Sequence, residues 1–181
     1  MASTTTTKDS TNCRLLEMPA ELRNNIYRFT LCEHTTQITQ TTFQQPALLA
    51  TCRQTRKEAS IIYYYENDFD IHVHNFDPAV ARSWHQHARP FFRKQTPKSS
   101  IIFGTVDPRS WTNLMRWIKL HVSREAVGIA QCERNDPDSN VAGGAMKIAR
   151  ELYAVETDWE MIEKVLEIYK VSTKYTIDWE D

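Results

Sequence analysis

The chain has 181 residues, 41% of them hydrophobic and 25% charged, and a formal charge of −1. That is apolar material enough for one compact core, and it excludes a disordered or collagen-like protein. No run approaches the ~18 apolar residues that a membrane-spanning helix needs, and four glycines leave almost no room for phosphate-cradling loops.

Charge is unevenly spread: residues 1–128 carry 16 basic and 11 acidic side chains, and residues 129–181 carry 6 and 12. A basic and an acidic part of one fold attract each other, and each also suits a partner of opposite sign. Residues 1–14 read as a disordered Ser/Thr-rich tail without the apolar stretch of a secretion signal. Cys13, Cys32, Cys52 and Cys132 form no C-x-x-C pair, and there is no N-x-S/T sequon. A cytoplasmic or nuclear protein with reduced thiols is the expectation.

The first helix is expected over about 19–31, with Pro19 at its first position and Leu22, Ile26 and Phe29 at helical spacing. His34 to Gln45 is polar and reads as a loop or a marginal β-hairpin. Pro46 opens a second helix, to about residue 66, whose apolar stripe is Leu48, Leu49, Cys52, Ala59, Ile62 and Tyr63; Arg53, Arg56, Lys57 and Glu58 lie mostly off it. Phe69, Ile71 and Val73 alternate as one face of a strand over 69–74. Ser83 to Phe92 reads as helical, 94–98 as a basic loop, and 100–106 as a second strand.

From its cap at Ser110, a helix to 122 carries Trp111, Leu114, Trp117, Ile118 and Val122 as its apolar face. Asn135 to Gly144, rich in Asp, Pro and Gly, reads as a loop, followed by helices over 145–156 and 158–170. Thr157 to Glu160 matches a capping box, and Trp159, Ile162, Leu166 and Tyr169 mark a buried stripe. The whole reads as an α+β fold, a predominantly helical single domain with a few short strands.

Chemistry-bearing patterns are sparse. His72-x-His74 on a strand shares a face, whereas His85 and His87 on a helix lie about 200° apart, so no complete zinc set forms. None of the common catalytic motifs is present, and Cys52, on an apolar stripe, reads as a small core residue. No catalytic residue, cofactor or metal is expected. Arg89, Arg93, Lys94 and Lys98 surround Phe91 and Phe92, a pattern that could hold nucleic-acid phosphates while a ring stacks on a base. The competing reading is a solvated loop anchored by its phenylalanines, which suits a chain of net charge −1 better.

Two segments together are more specific. Leu15-Leu16-Glu17-Met18-Pro19-Ala20-Glu21-Leu22-Arg23 to Ile26 resembles the opening helix of F-box domains, L-x-x-L-P-x-E-L-x-x-x-I, with Met18 at the usual second leucine. Pro46 to Ala59, followed by Ile62-Tyr63-Tyr64 and Glu66 to Phe69, resembles the second block of the large fungal F-box-like family with two E-x-R motifs. Its second E-x-R is replaced here by Gln54-Thr55-Arg56. The resemblance covers about residues 15–77 and implies an F-box-like segment followed by a helical part, 78–181, that recognises a target protein. It implies docking to the Skp-type adaptor of a cullin-RING ubiquitin ligase, with Leu16, Pro19, Leu22 and Ile26 as the partner-binding residues. An apolar face that wide must be covered either by the 46–66 helix or by a partner.

Overall fold

The computed structural model describes residues 13–39, 43–92, 96–104, 109–129 and 136–180. The chain up to Asn12, Arg93, Lys94 and Cys132 lie outside them. Helices make up 61% of the structure and a three-stranded parallel sheet the rest of its regular part, so the α+β fold is the helix-rich one expected.

A single turn, α1 (Arg14–Glu17), precedes α2 (Ala20–Leu31), which begins directly after Pro19. Strand β1 (Thr35–Ile38) then pairs in parallel with β2 (Asp68–Val73), so this part of the polar segment is no hairpin. Between them the expected single helix is two, α3 (Ala47–Thr51) and α4 (Arg53–Glu66). The break is Cys52, whose extended backbone (φ −152°, ψ 168°) lets Sγ accept from the Thr55 amide at 3.4 Å. Cys52 is therefore the N-cap of α4, half-buried, and not a core residue. The Thr55 hydroxyl and amide beside it lower its thiol pKa.

Helix α5 (Ala79–Ala88), a 3-10 turn at Arg89–Phe91 and β3 (Ser99–Phe103) complete the sheet, in the order β1-β2-β3. Parallel neighbours need crossovers, supplied here by α3–α4 and then α5. Ile38, Ile71 and Ile101 lie in one register row on the covered face. Phe69, Ile71 and Val73 are buried as the alternation predicts, whereas Gln37, Asp70 and His72 on the other face reach solvent and bond one another, Gln37 to Asp70 at 3.0 Å and to His72 at 2.5 Å. Parallel sheets are ordinarily covered on both faces, and their strands then read as continuous apolar runs. The polar alternation of β2 reflects its one open face.

Helix α6 (Trp111–Val122) is capped by Ser110 Oγ, which accepts from the Asn113 amide at 3.2 Å, and buries Trp111, Leu114, Trp117 and Ile118. Helix α7 (Pro137–Ala154) occupies most of the segment read as a loop. Asp136 caps it through the Ser139 amide (3.2 Å) and Pro137 takes the first position, where its missing N–H costs nothing. Val141 to Met146 are all buried, so the small residues that imitate a loop line a stretch of α7 that is enclosed on every side, while its last two turns reach solvent at Lys147, Arg150, Glu151 and Tyr153. Helix α8 (Trp159–Thr173) is capped by Asp158, which accepts from the Met161 amide at 2.9 Å, so the Thr157–Glu160 box does not form. Gly128 lies against α6, where an added β-carbon would come within 2.5 Å of His121 Cε1.

One continuous buried cluster runs from Tyr27 to Leu166. Phe69 packs among Tyr63 and Trp84 at ring distances of 5.3 and 5.5 Å, and Phe103 joins the sheet to Trp117 of α6 at 6.5 Å.

Candidate functional site

The side chains that α2 turns inward are Arg23, Tyr27 and Leu31. Arg23 is only 9% exposed and meets Glu58 of α4 with both prongs, Nε donating to Oε2 at 2.9 Å and Nη2 to Oε1 at 2.7 Å. Its remaining nitrogen donates to the Met18 carbonyl at 2.5 Å and holds the α1–α2 turn. The Tyr27 hydroxyl donates to the same carboxylate at 3.2 Å. The Arg23 guanidinium holds the Glu58 carboxyl down at about 2. One turn on, Arg28 forks onto Glu66 at 2.9 and 3.0 Å, so α2 and α4 run side by side in the same direction.

The arginine of the first E-x-R is thus spent inside the domain, on a glutamate 35 residues away. Glu58, which the sequence reading placed mostly off the buried stripe, is its receptor. A charged residue at a helical position reads as solvated, and only a partner distant in sequence makes the inward position favourable.

With Arg23, Tyr27 and Leu31 facing in, three apolar residues of α2 face out. Leu22 is 47% exposed and Phe29 is 92% exposed; Ile26 is half-buried, and the three share one side of the helix. Pro19 is exposed at its head and Leu16 is half-buried in α1. All four expected partner-facing residues therefore reach solvent, and they do not pack on α4 as core. Phe29, read at the sequence level only as helical spacing, extends the face by a turn. A partner covering such side chains fully would gain about 1.5–3 kcal/mol from each.

The basic segment is arranged differently. Arg89 is exposed, and Lys98 lies 3.5 Å from Asp68. The rings between them turn into the protein: Phe91 stacks on Tyr64 at 4.5 Å while its carbonyl accepts from the Tyr65 hydroxyl, and Phe92 packs beside Trp84 and His85. Both rings are half-buried against the core, as the anchored reading expects of its phenylalanines.

Among the described residues no group of three or more histidines, cysteines or carboxylates converges to hold a metal ion. His85 is buried with Nε2 on the Arg124 carbonyl at 3.2 Å, and His87 is exposed against Phe43. His72 and His74 line a cavity of about 260 Å³ at the carboxyl ends of β1 and β2, with Asn75, Asp77 and Asn113. Its polar groups have structural duties: Asn75 accepts from the Ser110 amide at 2.6 Å, Asn113 donates to the Asn75 carbonyl at 3.0 Å, and Asp77 accepts from the Ala79 amide at 3.0 Å. They hold the turn in which Asn75 and Phe76 adopt positive φ (50° and 54°).

Among the described residues no helix is long and apolar enough to cross a membrane. No family model, no curated protein and no solved structure matches this chain.

Proposed function

We propose that this chain is a non-catalytic interaction module, an F-box-like adaptor whose first helices dock a Skp-type partner of a cullin-RING ubiquitin ligase while residues 78–181 contact a target protein. The observation that supports the reading is the outer side of α2: Leu22 and Phe29 stand in solvent in line with Ile26, while Arg23 and Tyr27 turn inward. A helix whose function ended at its own core would place these residues the other way round. Such an adaptor works in the cytoplasm or the nucleus. The contacts of Phe91 with Tyr64 and of Phe92 with Trp84 favour this reading over the nucleic-acid alternative, which needs rings free to stack on bases.

The test is capture of a purified Skp-type adaptor by the full chain and by Leu22→Asp and Phe29→Asp. Both positions are exposed, so each variant should melt cooperatively with stability within about 0.5 kcal/mol of the parent. Docking should be lost in both. An unmodified chain that captures no adaptor, or variants that capture it undiminished, would overturn the proposal.

A further inference from the structure

Exposed apolar side chains, such as Ile168, Val171 and Tyr175 on the outer side of α8, respond to no change of pH near neutrality. The turn that follows α6 is held by groups that do. Helix α6 ends in a Schellman turn: the Glu125 amide donates to the Leu120 carbonyl at 2.8 Å and the Arg124 amide to the His121 carbonyl at 3.0 Å, with Arg124 in the left-handed region (φ 62°). Glycine ordinarily takes that position. An arginine keeps it only where the surroundings hold it.

Two imidazoles hold it. His85 of α5, 9% exposed, has Nε2 at 3.2 Å from the Arg124 carbonyl, and half-buried His121 has Nδ1 at 3.4 Å from the Ala126 carbonyl. Each bond needs one N–H, which a neutral ring supplies. A second proton makes the ring a cation, and at His85 it would sit on Nδ1, which is buried without a hydrogen-bond partner among the described residues. The charges around the pair do not welcome a cation. Arg89 lies one turn beyond His85, Arg150 of α7 faces His121 while paired with Glu151 at 3.1 Å, and the two imidazoles face each other. The turn's own carboxylate, Glu125, goes to Arg82 of α5 at 2.6 Å. Burial first, and these cations after it, hold both rings below the ordinary histidine value.

We propose that His85 and His121 form a pH-sensitive latch: as neutral rings they clip the 123–126 turn to the domain, and their protonation in mildly acidic solution releases it. Val127, whose carbonyl accepts from Trp117 Nε1 at 2.8 Å, stays in place as the pivot. The open turn binds more protons than the closed one, so closure is complete above the free histidine value and is lost as pH falls below it. The latch lies on α5 and α6 and does not depend on what the α2 face binds.

Amide hydrogen exchange of the full chain, resolved by NMR at pH 7.5 and 5.0 and corrected for intrinsic rates, tests this. The Glu125 and Ala126 amides should be less protected than those of α4 at both values, because the turn opens locally, and should lose at least about tenfold in protection between them. Changing His85→Gln and His121→Asn together keeps an N–H for each carbonyl but allows no charge, and should hold the turn's protection within about twofold. Ring titration of the unmodified chain gives a reading without a variant: both imidazoles should titrate below about 6.5, in step with the loss of protection. Turn amides as well protected as those of α4, protection unchanged between the two pH values, protection lost equally in the double variant, or a ring that titrates at or above the free value overturns the proposal.

Discussion

Helices α2 and α8 each lie against the domain on one side and face water on the other, but the weight of their attachments differs. Helix α2 is fastened to α4 by a forked ion pair, a tyrosine hydroxyl and a second fork on Glu66, while α8 rests mainly on the fully buried Ile162 and Leu166, with hydrogen bonds added at its edges from Trp111 Nε1 to Glu167 at 2.6 Å and from the Tyr169 hydroxyl to the Val141 carbonyl at 3.2 Å. Directional polar contacts fix the rotation of α2 about its axis with few groups, which frees its leucine and phenylalanine for the outside. Carbon packing is non-directional and needs area, so α8 must hold its place with large buried side chains. The outward faces end up equally apolar for different reasons.

Breaking the carbon side of this contrast should have the larger effect. Trp117 of α6 is fully buried in the core cluster that Ile162 and Leu166 of α8 join, with Nε1 donating to the Val127 carbonyl at 2.8 Å, and Trp117→Ala should cost about 3–5 kcal/mol in a denaturant titration. On the polar side, Glu58→Gln keeps the shape but leaves a 9% exposed guanidinium without its anion, and should cost about 1.5–3 kcal/mol. A smaller loss for the tryptophan than for the glutamate would reverse the comparison.

Acid sharpens it. An unfolded glutamate takes its proton near 4.3, whereas Glu58 in the fold resists until about 2. Between these values the unfolded state binds more protons, so the contribution of the α2–α4 clasp is complete above the unfolded value and is lost as pH falls toward 2. His85 and His121 respond earlier: burial lowers both, so the unfolded chain protonates first and stability declines as pH falls below about 6.5. Melting temperatures from pH 7.5 to 2.5 should therefore fall in two stages, and Glu58→Gln should remove the lower one alone.

Much of the fold is legible in the sequence wherever one side of an element is apolar and the other is not. The spacing of Trp111, Leu114, Trp117 and Ile118 in α6, and the alternation of Phe69, Ile71 and Val73 in β2, carry their burial directly. What escapes notice has two physical sources. Asp136-Pro137 and the Gly143-Gly144 pair have the composition of a loop, yet Asp and Pro are also what a helix start requires, and small residues suit a helix enclosed by others. A thiol seldom serves as an N-cap, so the break at Cys52 carries no ordinary signal. At the candidate site Leu22 and Ile26 are readable from helical spacing, and Leu16 and Pro19 only from the motif they resemble. The inward turn of Arg23 is not, because it depends on Glu58, 35 residues further on.

The strands β1, β2 and β3 lie in space in the order in which a ribosome makes them. At ~5–20 residues per second, the 35 residues from Ile38 to Val73 take roughly 2–7 s to emerge. Each new strand then finds its neighbour already made and its free edge waiting on the growing side. No strand has to be threaded between two earlier ones, and the nascent chain never holds an open gap in its sheet for a later segment to fill. Synthesis itself can thus order the assembly, with β1 and β2 paired around Ile38 and Ile71 before the acidic C-terminal helices have left the exit tunnel.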